Sequence, residues 1–403
     1  MKYIVILGDG MADYPQAFLN NKTPLELASK PTIDFLACHG EVGLAKTVPN
    51  GMKPGSDVAN LSVLGYDPKE CYTGRSPLEA GSIGIDLLDT DVTARANLVT
   101  LSDEESFEDK TMVDYSAGEI STAEAKELIS YLADALNTDE YKLYSGISYR
   151  HCLVIDKGVV AGDLTPPHDI TGKPIKNHLP TSDWGLKYLD LMKKSVELLK
   201  DHPVNLKRIN EGKRPANSLW FWGEGTKPAL QNFTEKFGVK GGMISAVDLL
   251  KGIAKLSSMQ VIEVENATGN YDTNFIGKAK ACVDALKSGL DFVYVHMEAP
   301  DECGHHGDSE HKIWSIGQIS EVVVRYIKDE LEKSGLEYKM LICPDHPTPL
   351  NIMTHVSDPV PYILYDSRKD LSNGAKGYTE KQASSTNKFI EHGYELMQKL
   401  LKD

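Results

Sequence analysis

Three short apolar runs, each followed by acidic or imidazole side chains, constrain this sequence more than any other feature. The runs occupy residues 3–7, 291–296 and 338–343. A continuous apolar run of this length predicts a parallel strand that is buried on both faces. The carboxyl ends of parallel strands meet at one edge of an open α/β sheet, where binding sites gather. The sequence therefore predicts an α/β core whose functional side chains converge at that edge.

The polar residues that follow these runs, together with a glycine-rich loop at 55–57, are suitable ligands for divalent metals. The candidate ligands are Asp9, Ser56, Asp301, His305, Asp345, His346 and His355. Carboxylate and imidazole together suit manganese, zinc, cobalt or magnesium. Seven ligands are too many for one tetrahedral site and about right for two adjacent ions, which can clamp the oxygens of a phosphoryl displacement. The lone serine, Ser56, is then the predicted nucleophile.

Each candidate ligand also has an ordinary structural explanation when it is taken alone. Asp9 suits a helix N-cap that follows a strand, and Ser56 suits a turn in a Gly-Ser-Asp loop. A single histidine is more often a core or surface residue than a ligand. The prediction of a metal site therefore rests on the combination.

Composition excludes several classes of partner. The net charge of −15 argues against non-specific binding to nucleic acid or to anionic membranes. No apolar run approaches the ~20 residues needed to span a bilayer, and no signal-peptide pattern opens the chain. The six cysteines are scattered without CxxC spacing, which is typical of reduced thiols. We expect a cytoplasmic protein without nucleic-acid or membrane partners, with a homo-oligomer, most commonly a dimer, as the default assembly.

The middle of the chain differs from its two ends in its pattern of predicted strands and helices and in its lack of candidate ligands. Helical patterns at 275–287 and 317–333 flank the later apolar runs. Between residues 86 and 183, strand-like segments occur at 95–101 and 149–155, and a capping box of Ser121 and Glu124 begins a helix. None of the candidate ligands falls there. We predict a discontinuous catalytic domain at 1–85 and 184–403 with a smaller α/β domain inserted at 86–183.

Four short motifs give the sequence a resemblance to a known family. They are Gly8-Asp9-Gly10, Gly55-Ser56-Asp57-Val58-Ala59-Asn60, Pro300-Asp301-Glu302-Cys303-Gly304-His305 and Pro344-Asp345-His346. These motifs resemble the alkaline-phosphatase superfamily and, more closely, the cofactor-independent phosphoglycerate mutases of the branch common in archaea and some bacteria. Segments 74–80, 219–225 and 240–245 are similar to the same branch, so the resemblance covers nearly the whole chain.

The resemblance implies a fold, a cofactor requirement and a set of roles. The implied fold is an alkaline-phosphatase-like three-layer α/β/α core with a mostly parallel sheet, plus an inserted cap that binds substrate. The implied cofactors are two divalent ions, manganese being expected and zinc, cobalt or magnesium also compatible, without 2,3-bisphosphoglycerate. By motif, one ion takes Asp9, Ser56, Asp345 and His346, and the other takes Asp301, His305 and His355. Asp57 stands where the longer-chain branch carries glutamate, so the acid is kept but shortened.

The substrate of such an enzyme is a small phosphorylated three-carbon acid, whose phosphate and carboxylate suit arginine through paired hydrogen bonds. The candidate contacts are Arg75, Arg95, Arg150, His151, Asp169, Arg214 and Lys251. A mutase also needs an acid–base group for the glycerate hydroxyls. Asp169, Asp163 and Asp114 fit this role equally well.

We predict interconversion of 3-phosphoglycerate and 2-phosphoglycerate through a phosphoserine on Ser56. Three alternatives remain open from the sequence: a phosphotransferase acting on another hydroxyl, such as a homoserine kinase; a metal-dependent phosphatase; and a non-catalytic metal-binding scaffold. A sulfatase is disfavoured because no Cys/Ser-x-Pro-x-Arg stretch surrounds Ser56.

Overall fold

A computed structural model describes residues 1–402 of the chain. They form two compact units, which we call unit 1 (residues 1–72 with 229–402) and unit 2 (Thr73–Pro228). The strands are β1 (Lys2–Gly8), β2 (Glu41–Ala45), β3 (Val92–Leu101), β4 (Met112–Asp114), β5 (Tyr141–Ile147), β6 (Arg150–Ile155), β7 (Ser218–Thr226), β8 (Gly241–Ile244), β9 (Gln260–Val261), β10 (Phe292–Met297), β11 (Tyr338–Cys343), β12 (Val360–Asp366) and β13 (Phe389–Ile390).

The α-helices follow the same order. They are α1 (Pro24–Leu27), α2 (Pro31–His39), α3 (Ser56–Val63), α4 (Pro68–Cys71), α5 (Arg75–Ser82), α6 (Thr122–Leu136), α7 (Asp183–Leu199), α8 (Pro203–Asn210), α9 (Phe233–Phe237), α10 (Asp248–Leu256), α11 (Phe275–Lys287), α12 (Ala299–His305), α13 (Ser309–Gln318), α14 (Arg325–Lys333), α15 (Glu380–Ser385) and α16 (Glu395–Leu401). None of the helices in residues 1–402 is both long and apolar enough to cross a membrane.

The sheet of unit 1 is mostly parallel, as the apolar runs predict. Its eight strands lie in the order β13-β2-β12-β11-β1-β10-β8-β9. Strand β1 pairs in parallel with β10 on one side and with β11 on the other, while β12 is antiparallel to both of its neighbours. The three predicted strands are therefore adjacent and end at the same edge, and the predicted α/β class is confirmed.

Helices cover both faces of this sheet. On one face, Ile4 and Ile6 of β1 and alternate residues of β10 and β11 pack against α2, α11, α13 and α14. Since successive side chains of a strand point to opposite faces, the residues between them face the other side. There Tyr294 of β10 hydrogen-bonds to Asn60 of α3. Burial on both faces explains why these strands read as continuous apolar runs.

The long helix predicted at 317–333 is part of a longer helical segment. Helix α13 ends at Gln318, residues Ile319–Val324 form a π-helical stretch, and α14 continues to Lys333. Its buried face includes Ile319, Val323 and Ile327. The amphipathic pattern is therefore real, but it begins eight residues earlier, at Ser309, because Asp308 caps that end.

Unit 2 is built on an antiparallel sheet. Its strands lie in the order β4-β3-β6-β5, and β7 also pairs with β3. Helices α6 and α7 pack on this sheet around a core that includes Leu128, Tyr188 and Trp220. Unit 2 contains the whole of the predicted insertion, 86–183, and extends beyond it at both ends. The extension at the C-terminal end arises because β7, far along the chain, pairs with β3.

Candidate active site

The sheet edge of unit 1 receives the predicted ligands from three neighbouring strands. Asp9 directly follows β1. Asp301 and His305 lie on α12, which follows β10. Asp345, His346 and His355 follow β11. All of them, with Ser56 at the start of α3, lie within unit 1.

The first cluster is deeply buried. Ligand atoms of Asp9, Asp345 and His346 all lie within 4.8 Å of one another, and the three residues are at most 1% exposed. The hydroxyl oxygen of Ser56 lies 3.2 Å from Nε2 of His346. The predicted nucleophile therefore borders the first cluster.

The second cluster is more accessible. Ligand atoms of Asp301, His346 and His355 lie within 4.8 Å of one another. His305 joins them, with its Nε2 3.2 Å from Asp301 Oδ2 and 2.9 Å from Nε2 of His355. The His305 and His355 side chains are 31% and 21% exposed. His346 belongs to both clusters and lies between them.

Hydrogen bonds fix which nitrogen of two imidazoles faces the clusters. Nδ1 of His305 lies 3.0 Å from the carbonyl oxygen of Met353, which can only accept a hydrogen bond. Nδ1 of His346 lies 3.3 Å from Thr348 Oγ1, and Thr348 in turn donates to Asp301 Oδ1. Both bonds place a proton on Nδ1, so in the neutral imidazole each Nε2 presents a lone pair to the cluster. A metal-binding histidine is oriented in this way by its other nitrogen.

The donor set fits divalent cations. Oδ1 of Asp9 is buried and has no hydrogen-bond partner. Burial, followed by the charges of Asp345 and Asp301, raises the pKa of Asp9 well above its ordinary value. The Nε2 atoms of His305 and His355 are 2.9 Å apart, so they must share either a proton or a cation. Positive charge at this edge would relieve all three features, as expected for carboxylate and imidazole metal ligands.

A glycine allows the loops to approach this closely. Gly10 has a φ of +60°, and its N–H donates to Asp345 Oδ1 at 3.2 Å. A Cβ at this position would lie 2.5 Å from Asp301 Oδ1 and 2.7 Å from its Cα. Gly10 is therefore required by both the backbone conformation and the space beside Asp301.

Ser56 is the first residue of α3, where a phosphoryl group bonded to it would meet the positive end of the helix dipole. Asn60, one turn later, donates to the Ser56 carbonyl oxygen at 2.8 Å and to Asp345 Oδ2 at 2.9 Å. Asp57 accepts from the N–H of Val58 and from the Tyr72 hydroxyl. The shortened acid at position 57 is therefore held by the protein itself.

Several residues that surround the ligands were not predicted from the sequence. His296 lies 2.8 Å from Asp9 Oδ2, and Tyr294 donates to Asn60. The ammonium group of Lys312 holds Asp13 and the carbonyl of Thr348. Asn60 lies in a motif that carries the family resemblance, which was a signal. Tyr294, His296 and Lys312 lie in no such motif, so nothing in the sequence indicated their positions.

Three of the predicted substrate contacts come together in unit 2. Arg75 Nε lies 2.9 Å from Glu79 Oε1, and Arg95 lies 3.2 Å from the same oxygen. Arg150 is the third member, and its charge contributes with the other two to lowering the pKa of Glu79 against the effect of burial. The Arg95 guanidinium lies 4.7 Å from the Trp222 ring centre, and its buried Nε has no partner. This cationic group, Arg75, Arg95 and Arg150, is suited to an anion.

His168 and Asp169 lie near this cationic group. The His168 ring centre is 5.1 Å from that of Trp222, and its Nε2 is 3.5 Å from Asp169 Oδ1. Burial, opposed by Asp169, lowers the pKa of His168, with Arg95 and Arg75 contributing.

The other predicted contacts lie elsewhere. His151 alternates with Arg150 along β6 and faces the opposite side of the sheet, where burial and then Arg95 lower its pKa to about 3. Arg214 pairs with Asp114, and Lys251 pairs with Glu263 at 2.7 Å. Asp163 accepts hydrogen bonds from the residues that begin α7.

Comparisons with known proteins agree with these motifs. A family model described as 2,3-bisphosphoglycerate-independent phosphoglycerate mutase matches residues 37–205. A protein of that name from Methanosarcina barkeri is 48% identical over 95% of this chain and 95% of its own.

Two solved structures match the fold. One, from Pyrococcus horikoshii, has a TM-score of 0.82 at 31% identity and covers 99% of this chain and 96% of that chain. The other, a cofactor-independent phosphoglycerate mutase from Thermoplasma acidophilum, has a TM-score of 0.65 at 29% identity and covers 100% of this chain and 99% of that chain.

Proposed function

The chain belongs to the 2,3-bisphosphoglycerate-independent phosphoglycerate mutase family, and we propose that it interconverts 3-phosphoglycerate and 2-phosphoglycerate through a phosphoserine on Ser56. The observation that carries this proposal is the position of the Ser56 hydroxyl, 3.2 Å from Nε2 of His346 beside the buried acidic cluster. A serine so placed is exposed to the field that activates a hydroxyl for attack on phosphorus.

Two divalent ions complete the proposed site. The first would be held by Asp9, Ser56, Asp345 and His346, and the second by Asp301, His305 and His355. When bound, the ions supply Lewis-acid charge to the transferring phosphoryl oxygens and make the serine alkoxide accessible. Manganese is the expected metal, and zinc, cobalt and magnesium are compatible with the same donors.

The reaction consists of two in-line displacements at phosphorus: the first transfers the phosphoryl group to Ser56, and the second transfers it from Ser56 back to the glycerate. Ser56 Oγ bonds to phosphorus while the bond between phosphorus and the glycerate O3 breaks. O3 keeps the bonding electrons and takes up a proton, matching the proton that Ser56 loses. After the glycerate reorients, its O2 loses a proton and bonds to phosphorus while the bond between phosphorus and Ser56 Oγ breaks. Ser56 Oγ keeps the bonding electrons and regains a proton, matching the one that O2 loses. The start of α3 stabilises the phosphoryl group while it resides on Ser56.

Unit 2 is proposed to act as the substrate-binding cap. The clusters of unit 1 offer carboxylates and imidazoles, whereas the glycerate carboxylate needs cations. Arg75, Arg95 and Arg150 supply that charge on one face of unit 2. A cap would also exclude water from the phosphoserine while glycerate reorients, because water would otherwise hydrolyse it.

Among the candidate acid–base residues, Asp169 fits best. Asp163 accepts from the backbone that begins α7, and Asp114 accepts from Ser116, Gly118 and Arg214. Those commitments leave Asp169, next to His168 and the cationic group, with its carboxylate accessible to exchange protons. We propose the pair Asp169 and His168 as the proton carrier for the glycerate hydroxyls.

The reaction belongs to glycolysis and gluconeogenesis. A cytoplasmic location and a homo-oligomeric assembly remain part of the proposal.

The test uses protein stripped of metal, reloaded with manganese, and assayed with 3-phosphoglycerate and enolase in the absence of 2,3-bisphosphoglycerate. We expect metal-dependent formation of 2-phosphoglycerate at a rate on the order of tens of turnovers per second. Release of inorganic phosphate without isomerisation would instead identify a phosphatase. Phosphorylation of homoserine from ATP, with no activity on phosphoglycerate, would identify the other phosphotransferase. Metal binding without any phosphoryl transfer would leave only a scaffold role.

A further inference from the structure

We infer that strand β10 positions the first metal cluster and the nucleophile helix through two buried side chains, Tyr294 and His296. Both would be positioning residues, since neither is a candidate ligand. The inference rests on the two metal clusters of the proposed function.

The two side chains share one face of the strand. They lie two positions apart on β10, so they point to the same side of the sheet. That side is opposite the core formed by Val293 and Val295. Both residues are 0% exposed. A histidine and a tyrosine buried this deeply are expected to have defined hydrogen-bond partners.

His296 connects Asp9 to the neighbouring strand end. Its Nε2 lies 2.8 Å from Asp9 Oδ2, and because an ionised Asp9, the form that binds a cation, only accepts, this nitrogen then carries the proton. Its Nδ1 lies 3.2 Å from Ser245 Oγ, which accepts from the Val247 N–H at 3.0 Å. The carbonyl of His296 is held by Lys278 at 3.0 Å. One oxygen of Asp9 is thereby occupied, and the unpartnered oxygen, Oδ1, is left for a cation.

Tyr294 acts on the other carboxylate through Asn60. The tyrosine hydroxyl donates to Asn60 Oδ1 at 2.6 Å, which fixes the orientation of the amide. The amide nitrogen then uses both of its hydrogens, one on the Ser56 carbonyl oxygen and one on Asp345 Oδ2. Tyr294 therefore holds the first turn of the nucleophile helix against a ligand of the first cluster.

Both connections end at the first cluster. In the described part of the chain, neither side chain hydrogen-bonds to Asp301, His305 or His355. That second cluster is oriented by different groups, the Thr348 hydroxyl and the Met353 carbonyl. The inference therefore predicts a selective effect: loss of a β10 side chain weakens one ion and leaves the other unchanged.

The experiment measures manganese binding to the metal-free protein by calorimetric titration and by electron paramagnetic resonance. The test variants are Tyr294→Phe, which removes only a hydroxyl, and His296→Phe, which removes both ring nitrogens. Tyr362→Phe is the matched control, because Tyr362 is a buried tyrosine of the same sheet whose hydroxyl donates to Glu41, away from the clusters.

We expect the native protein to bind two ions and to give the signal of an exchange-coupled pair. Each test variant should weaken one ion by roughly 10–100-fold, as loss of an outer partner does in metal sites, while the second ion binds as in the native protein. At concentrations that load the native protein fully, the coupled signal should be replaced by that of a single ion. His296→Gln, which restores an N–H donor, should recover part of the lost affinity, and Tyr362→Phe should bind like the native protein.

Steady-state kinetics of the same variants test whether these residues position the site or contact the substrate. A positioning role predicts a lower kcat with an unchanged KM for 3-phosphoglycerate, since neither residue is placed to touch substrate. Native-like binding of both ions by Tyr294→Phe and His296→Phe, or equal weakening of the two ions, would overturn the inference. If the native protein bound no divalent ion, the proposed function would fail as well. If it bound two and isomerised phosphoglycerate while the variants matched it, only this inference would fail.

Discussion

The most informative perturbation of unit 1 removes the buried ammonium group of Lys312. This group donates to Asp13 Oδ2 at 2.8 Å and to the Thr348 carbonyl oxygen at 2.7 Å, and both charged side chains are fully buried. Lys312→Met keeps most of the side-chain volume but leaves Asp13 without its counter-charge. Removing one partner of a buried ion pair costs roughly 3–5 kcal/mol, because the remaining charge is uncompensated.

The remaining contacts of Asp13 set the expected value within that range. Asp13 still accepts from the Tyr14 N–H at 2.8 Å, from Gln16 Nε2 at 2.7 Å and from the Leu350 N–H at 3.2 Å. Three donors partly replace the lost charge, so we expect the lower end, about 3 kcal/mol. Because Thr348 also donates to Asp301, the variant should loosen the second metal cluster.

The assay is equilibrium unfolding in guanidinium chloride, followed through Trp314, the only tryptophan of unit 1. Adding Asp13→Asn to Lys312→Met removes the orphaned charge and should recover more than half of the lost free energy of unfolding. A loss below about 1 kcal/mol, well short of the cost of an uncompensated buried charge, or a double variant as unstable as the single one, would refute this reasoning.

Three further predictions concern pH, substrate and metal. Burial raises the pKa of Glu380 from 4.5 to about 7, so its stabilising contribution is complete at low pH and is lost as the pH rises through that window. The loss is about 3 kcal/mol, and unfolding measured from pH 4 to pH 8 should lack this decline in Glu380→Gln. Arg95→Lys keeps the charge but loses the paired donors and the stacking on Trp222, so KM for 3-phosphoglycerate should rise at least tenfold; an unchanged KM would remove Arg95 from the substrate site. Chelation of metal should lower the unfolding midpoint of unit 1 only, since all the ligands lie there; metal at a hundred times its Kd adds about 2.7 kcal/mol, and an equal effect on both units would contradict the assignment.

The sequence predicted the core of unit 1 because its strands are buried on both faces. Four consecutive residues of β1, from Ile4 to Leu7, are completely buried, which leaves a continuous apolar signal. The ligands converge because β1, β10 and β11 are parallel neighbours. The acidic residues that follow each apolar run in the sequence had already indicated this arrangement.

Other features depend on contacts that a sequence pattern does not carry. The extent of unit 2 depends on the pairing of β3 with β7, whose residues Arg95 and Trp222 are neighbours only in the fold. His296 lies at the end of an apolar run and resembles any strand residue until its partner Asp9 is known. Lys312 lies on α13, ahead of the helix predicted at 317–333. A lysine on a helix normally faces solvent, and its burial is explained by the ion pair with Asp13.

The most direct test of the central claim compares the native protein with Ser56→Ala, both loaded with manganese and both checked for bound metal. Phosphorus magnetic resonance follows the two phosphoglycerates, and acid-quenched protein is digested and examined for a phosphorylated peptide containing Ser56. We expect the native protein to equilibrate the two isomers and to carry phosphoserine at position 56 during turnover. Ser56→Ala should lose at least three orders of magnitude in rate, about 4 kcal/mol of transition-state stabilisation. Isomerisation by metal-loaded Ser56→Ala within tenfold of the native rate would contradict the account.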